Sequence, residues 1–269
     1  MRIKLGLACA LVALAVPAPA SAVVGGTAVR AGGYAFVVAV GDSRGPDCGG
    51  TLIAPSVVLT AAHCVAGVDD PAALHILAGS HSLRGGLGHA IGVSAIYVHP
   101  KFALATMRYD AALLILEHAV TGVRPIALAA SSPLAGTTVG AAGWGRTEQR
   151  GPTSPDQLRS VVLEVGTAQS CTRGNAELGM YYAPSMLCAS NPGRDTCSGD
   201  SGGPLVATSH GHLALVGITS FGLGCARSGH PGVYTRVAAI RGWALAQLAR
   251  SSAAAARLAS LENAPAPAA

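Results

Sequence analysis

Gly, Pro and Ser interrupt this chain about every ten residues, and short runs of Val, Ile and Leu fill the intervals. Five of these runs read as buried strands: Phe36–Val40, Val57–Leu59, Leu113–Leu116, Ser160–Leu163 and Leu213–Ile218. The spacing predicts an all-β fold, either sandwich or barrel, and periodicity alone does not choose between them. One segment breaks the pattern. Ile240, Trp243, Ala244 and Leu248 recur at helical spacing, which predicts a C-terminal helix over 240–250. Residues 251–269 are rich in Ala, Ser and Pro and read as a weakly ordered tail.

Residues 1–22 carry the marks of a secretory signal peptide. Arg2 and Lys4 precede an apolar run from Leu5 to Val16 that is too short to span a bilayer. Ala20-Ser21-Ala22 then offers small residues for cleavage. Cys9 falls early in the apolar run without a convincing lipobox, so no lipid anchor is expected. No later stretch reads as a membrane helix, and the expectation is a soluble, exported protein without membrane contact. Six cysteines remain beyond the signal: Cys48, Cys64, Cys171, Cys188, Cys197 and Cys225. An even count in an exported chain points to disulfides, although the count leaves their pairing open. The formal charge of +5 includes Arg2 and Lys4, and the other basic residues are scattered singly. Nucleic-acid binding therefore has no support.

Chemistry concentrates in three segments. Gly199-Asp200-Ser201-Gly202-Gly203-Pro204 places a serine among glycines, where a tight turn lets backbone N–H groups converge on one point. A serine hydroxyl needs a base, and the base needs an orienting acid. Thr60-Ala61-Ala62-His63-Cys64 and Tyr109-Asp110-Ala111-Ala112-Leu113-Leu114 supply both. Gly-x-Ser-x-Gly also fits the α/β-hydrolase elbow, but that site needs a helix after the serine and the order Ser, acid, His. Here the order is His63, Asp110, Ser201, and a strand-like run follows Pro204. His210-x-His212 has no third ligand in sequence and reads as a hairpin tip, so no metal site is expected.

With these segments in this order, the chain resembles the trypsin-like serine proteases of the chymotrypsin fold over about residues 23–245. The resemblance implies two six-stranded antiparallel β-barrels, 23–130 and 131–240, with the active site between them. It implies the pairs Cys48–Cys64, Cys171–Cys188 and Cys197–Cys225. It gives His63 the role of base and then acid, Asp110 that of orienting the imidazole, and Ser201 that of nucleophile. The N–H groups of Gly199 and Ser201 become the oxyanion hole, and Ser220 the hydroxyl that bonds Asp110. Ser220-Phe221-Gly222 offers a backbone edge to an extended substrate, with Phe221 where the family commonly has Trp. Asp195, six positions before Ser201, stands where the acid at the base of the primary pocket belongs, and Gly222 and Gly232 match the pocket walls. A buried carboxylate there calls for a cationic substrate side chain, hence cleavage after Arg or Lys. Ser190 and Thr196 are less usual beside that pocket. The calcium loop of some animal relatives is acidic, whereas this chain has no Asp or Glu between Asp70 and Asp110.

The same resemblance matches Val23-Val24-Gly25-Gly26 to the mature N-terminus, whose free amine pairs with the acid before the nucleophile, here Asp200. Cleavage after Ala22 would make export and activation one event; cleavage after Ala20 would leave a dipeptide to trim. The implied partners are protein and peptide substrates and protein protease inhibitors, and the implied state is a cofactor-free, secreted monomer. The rival readings are a non-catalytic homologue serving as a binding module and an esterase on the same fold.

Overall fold

The computed structural model describes residues 23–84, 90–149, 155–209 and 211–262. The signal segment with Cys9, and His210 of the His-x-His pair, lie outside the described residues. Six strands form the first barrel: β1 (Val37–Asp42), β2 (Gly45–Ala54), β3 (Val57–Thr60), β4 (His75–Leu77), β5 (Ile91–Val98) and β6 (Ala112–Leu116). They close in the order β1-β2-β3-β6-β5-β4. Six more form the second: β7 (Thr138–Gly143), β8 (Arg159–Val165), β9 (Met186–Ser190), β10 (Pro204–Ser209), β11 (His212–Phe221) and β12 (Gly232–Arg236). Their order, β7-β8-β9-β12-β11-β10, repeats that of the first, and β10 pairs β7 to complete the circuit. All pairings around both circuits are antiparallel.

The two-sided apolar runs explain the packing. Alternate residues of a strand face opposite ways, and here both faces meet a core. Along β6, Ala112, Leu114 and Leu116 point into the first barrel, while Leu113 joins the layer between the barrels. Along β1, Val38 and Val40 point inward, and Val37 and Ala39 pack with Trp144 and Leu158 of the second barrel. In β10, Leu205 and Ala207 fill the second barrel while Val206 faces the shared layer. Each fully buried Leu or Val contributes roughly 1.5–3 kcal/mol, so burial in the seam adds to that within the barrels.

The C-terminal helix, α1 (Val237–Glu262), is longer than its sequence suggests. Val237, Ile240 and Ala244 are buried in the shared layer, with Trp243 and Leu248 packed against it. The helix continues past 250 through the segment read as a tail. That segment combines Ala and Leu, strong helix formers, and meets no proline before Pro265. Residues 263–269 lie outside the described residues. No helix among the described residues is long and apolar enough to cross a membrane.

Candidate active site

His63 sits in a short 3₁₀ turn, Ala62–Cys64, that leaves β3. The Cys48–Cys64 disulfide fastens this turn to β2. Asp110 immediately precedes the apolar run that forms β6 and is fully buried. Its Oδ1 accepts the His63 backbone N–H at 2.9 Å, and its Oδ2 lies 2.7 Å from His63 Nδ1. The Ser220 hydroxyl, from the second barrel, donates to the same Oδ2 at 2.5 Å. The carboxylate thereby selects the tautomer with the proton on Nδ1 and leaves Nε2 as acceptor. The Thr235 hydroxyl donates to the Asp110 carbonyl at 2.8 Å, so the acid is gripped from both barrels.

Ser201 occupies a turn that only glycine neighbours permit. Gly199 and Gly202 have φ of +96° and +80°, and a Cβ on Gly202 would run into Thr60 Oγ1 and the Gly49 carbonyl. The Asp200 N–H donates to Cys197 O, Gly202 N–H to Thr219 O and Gly203 N–H to Asp200 O. The N–H groups of Gly199 and Ser201 have no acceptor among the described residues. Two unspent donors therefore flank Asp200. The Ser201 carbonyl accepts the N–H of Gly49 at 2.7 Å, beside the disulfide that anchors the His63 turn. No hydrogen bond joins the Ser201 hydroxyl to Nε2 among the described residues; catalytic contacts of this kind are often long until substrate binds.

Beside Ser201 opens a cavity of about 360 Å³ whose lining includes Asp195, Ser220, Phe221, Gly222 and Gly232. Asp195 is 1% exposed. Its oxygens accept the N–H groups of Thr196 at 2.9 Å and Ala226 at 3.1 Å. A Cβ on Gly232 would stand 2.7 Å from Asp195 Oδ1, so a side chain there would block the acid. Burial pushes the Asp195 carboxyl up to about 7. Thr196, 8% exposed, turns its hydroxyl to Tyr234 Oη at 3.0 Å, while Ser190 is exposed.

Asp200 is wholly buried, with Gly145 N–H on Oδ1 and Cys197 N–H on Oδ2, each at 2.8 Å. Burial raises it, too, to about 7. Neither acid meets a Lys, Arg or His side chain among the described residues. Val23 is fully buried in the second barrel, and the Val24 carbonyl accepts the Asp195 N–H at 3.1 Å. The N-terminal segment thus pairs with the backbone of Asp195.

The remaining disulfides are Cys171–Cys188 and Cys197–Cys225, the latter tying the Ser201 turn to the pocket wall. Cys48, His63 and Cys64 bring potential metal-ligating atoms together, but the two sulfurs are joined to each other and offer no thiolate. The residues missed by the sequence reading are mostly backbone donors: Gly145 and Cys197 on Asp200, and Ala226 on Asp195. Their side chains carry no signal of that work. Gln149, also in the cavity lining, was equally silent.

A family model described as Trypsin matches residues 23–244. Trypsin delta of Drosophila melanogaster is 34% identical over 226 residues, 83% of this chain and 87% of its own length. Hypodermin-B of Hypoderma lineatum is 37% identical over 218 residues, 80% of this chain and 78% of its own length. The trypsin of Saccharopolyspora erythraea is 37% identical over 225 residues, 81% of this chain and 94% of its own length.

Proposed function

This chain belongs to the trypsin family of serine endopeptidases, and from that premise we propose that it is a secreted, monomeric protease that cleaves protein chains after Arg or Lys. The observation that carries the specificity is Asp195: a buried carboxylate with no cation among the described residues, in a glycine-walled cavity that opens beside Ser201. An uncompensated buried charge costs several kcal/mol, and a substrate guanidinium or ammonium would relieve it. Arg offers the better match through paired charge-assisted hydrogen bonds.

Ser201 Oγ attacks the carbonyl carbon of the scissile bond while His63 Nε2 takes its proton. Asp110 stabilises the imidazolium so formed. The oxygen that becomes negative is received by the free N–H groups of Gly199 and Ser201; loss of one such donor typically costs roughly 3–4 kcal/mol. His63 then protonates the departing amine, the C–N bond breaks, and an ester on Ser201 remains. Water, deprotonated by His63, attacks that ester and releases the acid, returning the proton to Ser201. The backbone of Ser220-Phe221-Gly222 offers the edge along which the substrate lies.

Before cleavage the Val23 nitrogen is an uncharged peptide nitrogen. Signal cleavage after Ala22 would convert it to an ammonium available to Asp200, and the pair would hold the turn carrying Gly199 and Ser201 in shape. Protein protease inhibitors would occupy the same cleft as substrates. The test is direct: the secreted protein should begin at Val23, react with a fluorophosphonate at Ser201, and hydrolyse Arg and Lys anilides far faster than Leu or Phe ones. A protein that starts at Ser21 or earlier and is latent would overturn the activation route. An unreactive Ser201 in a properly processed chain would overturn the activity.

A further inference from the structure

The cavity above Asp195 is walled by three stretches: Asp195–Ser198 with Ser201, Thr219–Cys225, and Gly232. Among the described residues of the connection between β7 and β8, Gln149 enters its lining. Its amide lies on Gly224, whose φ is +79°. A Cβ on Gly224 would stand 2.9 Å from Gln149 Nε2 and 3.0 Å from both Cδ and Oε1. Three amide atoms at nearly one distance mean that the amide plane is laid face-on over the glycine. It fills the place that a side chain at position 224 would take.

Among the described residues, the wall beside it carries little side chain. Gly222 and Gly224 have no side chains, and Ser198 has a short one. A substrate Arg or Lys threading towards Asp195 would leave its methylene stem open to water along that side. The two methylenes and flat amide of Gln149 supply the missing surface. They do so without adding a charge between solvent and Asp195.

We propose that Gln149 is a specificity-determining residue that forms the outer wall of the primary pocket, sheltering the stem of a basic side chain and the field of Asp195 from water. The inference rests on the Arg/Lys reading given above. It assigns Gln149 uniform binding, felt equally by bound substrate and transition state, so its loss should raise KM and leave kcat alone. Shielding the stem of a long side chain is a modest effect, and about 3- to 10-fold in KM is expected for Gln149→Ala. Gln149→Lys, which sets a like charge at the rim, should raise KM further and make it fall again with added salt. Gln149→Glu should lower KM below the wild-type value at low salt. Because Gln149 is exposed, all three variants should fold and melt as the wild type does.

The experiment measures kcat and KM of wild type and the three variants on Arg and Lys anilides at low and high salt, with benzamidine affinity as a probe of the pocket that needs no turnover. The ordering Glu, Gln, Ala, Lys in rising KM, followed by the benzamidine dissociation constant at constant kcat, supports the proposal. Variants indistinguishable from a wild type that cleaves after Arg and Lys would overturn it and leave the Arg/Lys reading standing. A fall in kcat at constant KM would equally overturn it, placing Gln149 in the Ser201 turn's support. A wild type that prefers another residue would sink both.

Discussion

Asp110 at the edge of the first barrel and the two acids of the second, Asp195 and Asp200, are equally hidden from water, yet they are held differently. Asp110 has its partners within the folded chain: the backbone and ring of His63 and the hydroxyl of Ser220. Asp195 and Asp200 each have two backbone N–H groups, and burial lifts both carboxyls to about 7. The first acid belongs to a finished unit. The other two meet no cationic side chain among the described residues. In the proposed function one cation comes from the substrate and the other from the chain's own new N-terminus. Incompleteness in the second barrel is then the source of both selectivity and control.

The largest effect should come from breaking the finished unit. Ser201→Ala and His63→Ala should each lower kcat by roughly 10⁵- to 10⁶-fold, and the double mutant should be scarcely worse. Steady-state kinetics on an Arg anilide, with active-site purity checked by mass, reads the result. Losses that multiply would mean that the residues act separately, and the contrast with the second barrel's acids would collapse.

Next in size is Asp195, the acid proposed to receive the substrate's cation. Asp195→Ser should remove turnover after Arg by about 10⁴-fold, because the pocket is built around one polar partner. Fluorophosphonate labelling of Ser201 should survive, since Asp110 and its partners are untouched. Near-normal cleavage of Arg substrates by this variant would show that Asp195 is not the selecting group.

How much of this was legible beforehand follows from where the information lies. The strands could be read because their runs are apolar on both faces, and both faces do meet a core, as Leu113 and Leu114 demonstrate. His63, Asp110 and Ser201 could be read because side-chain chemistry in a fixed order leaves a mark. The donors on Asp195 and Asp200 left none, since a backbone N–H is the same at every residue but proline. Nor could sequence show the tie between barrels, where the Ser82 hydroxyl donates to Asp156 and Trp144 Nε1 donates to the His81 carbonyl at 3.2 Å. The helix end is hidden for a different reason: alanine serves helix and tail alike, and Ser251–Glu262 contains nothing that stops a helix.

The smallest effect concerns Asp200, the acid proposed to pair with the new N-terminus, and its sign is unusual. An Asp whose folded value lies above its ordinary 3.8 favours folding when protonated. The stability Asp200 contributes is therefore complete below about pH 4 and is lost as pH rises through about 7. Ordinary carboxylates, held by cations, behave in the opposite way. The unprocessed chain, whose Val23 nitrogen carries no charge, should accordingly lose on the order of a few kcal/mol between about pH 4 and pH 7. Asp195 adds to the same slope in both forms, since its cation arrives only with substrate. Cutting before Val23 should abolish Asp200's share, because the new ammonium favours the ionised acid. Asp200→Asn should do likewise in the unprocessed chain by holding the acid permanently uncharged. Urea unfolding of the Ser201→Ala protein, with and without the residues before Val23, measures both slopes without self-digestion. Identical pH responses in the two forms would break the assignment of Val23 to Asp200. A steeper loss in the unprocessed form, flattened by Asp200→Asn, would establish that folding leaves one acid unpaired and that proteolysis completes it.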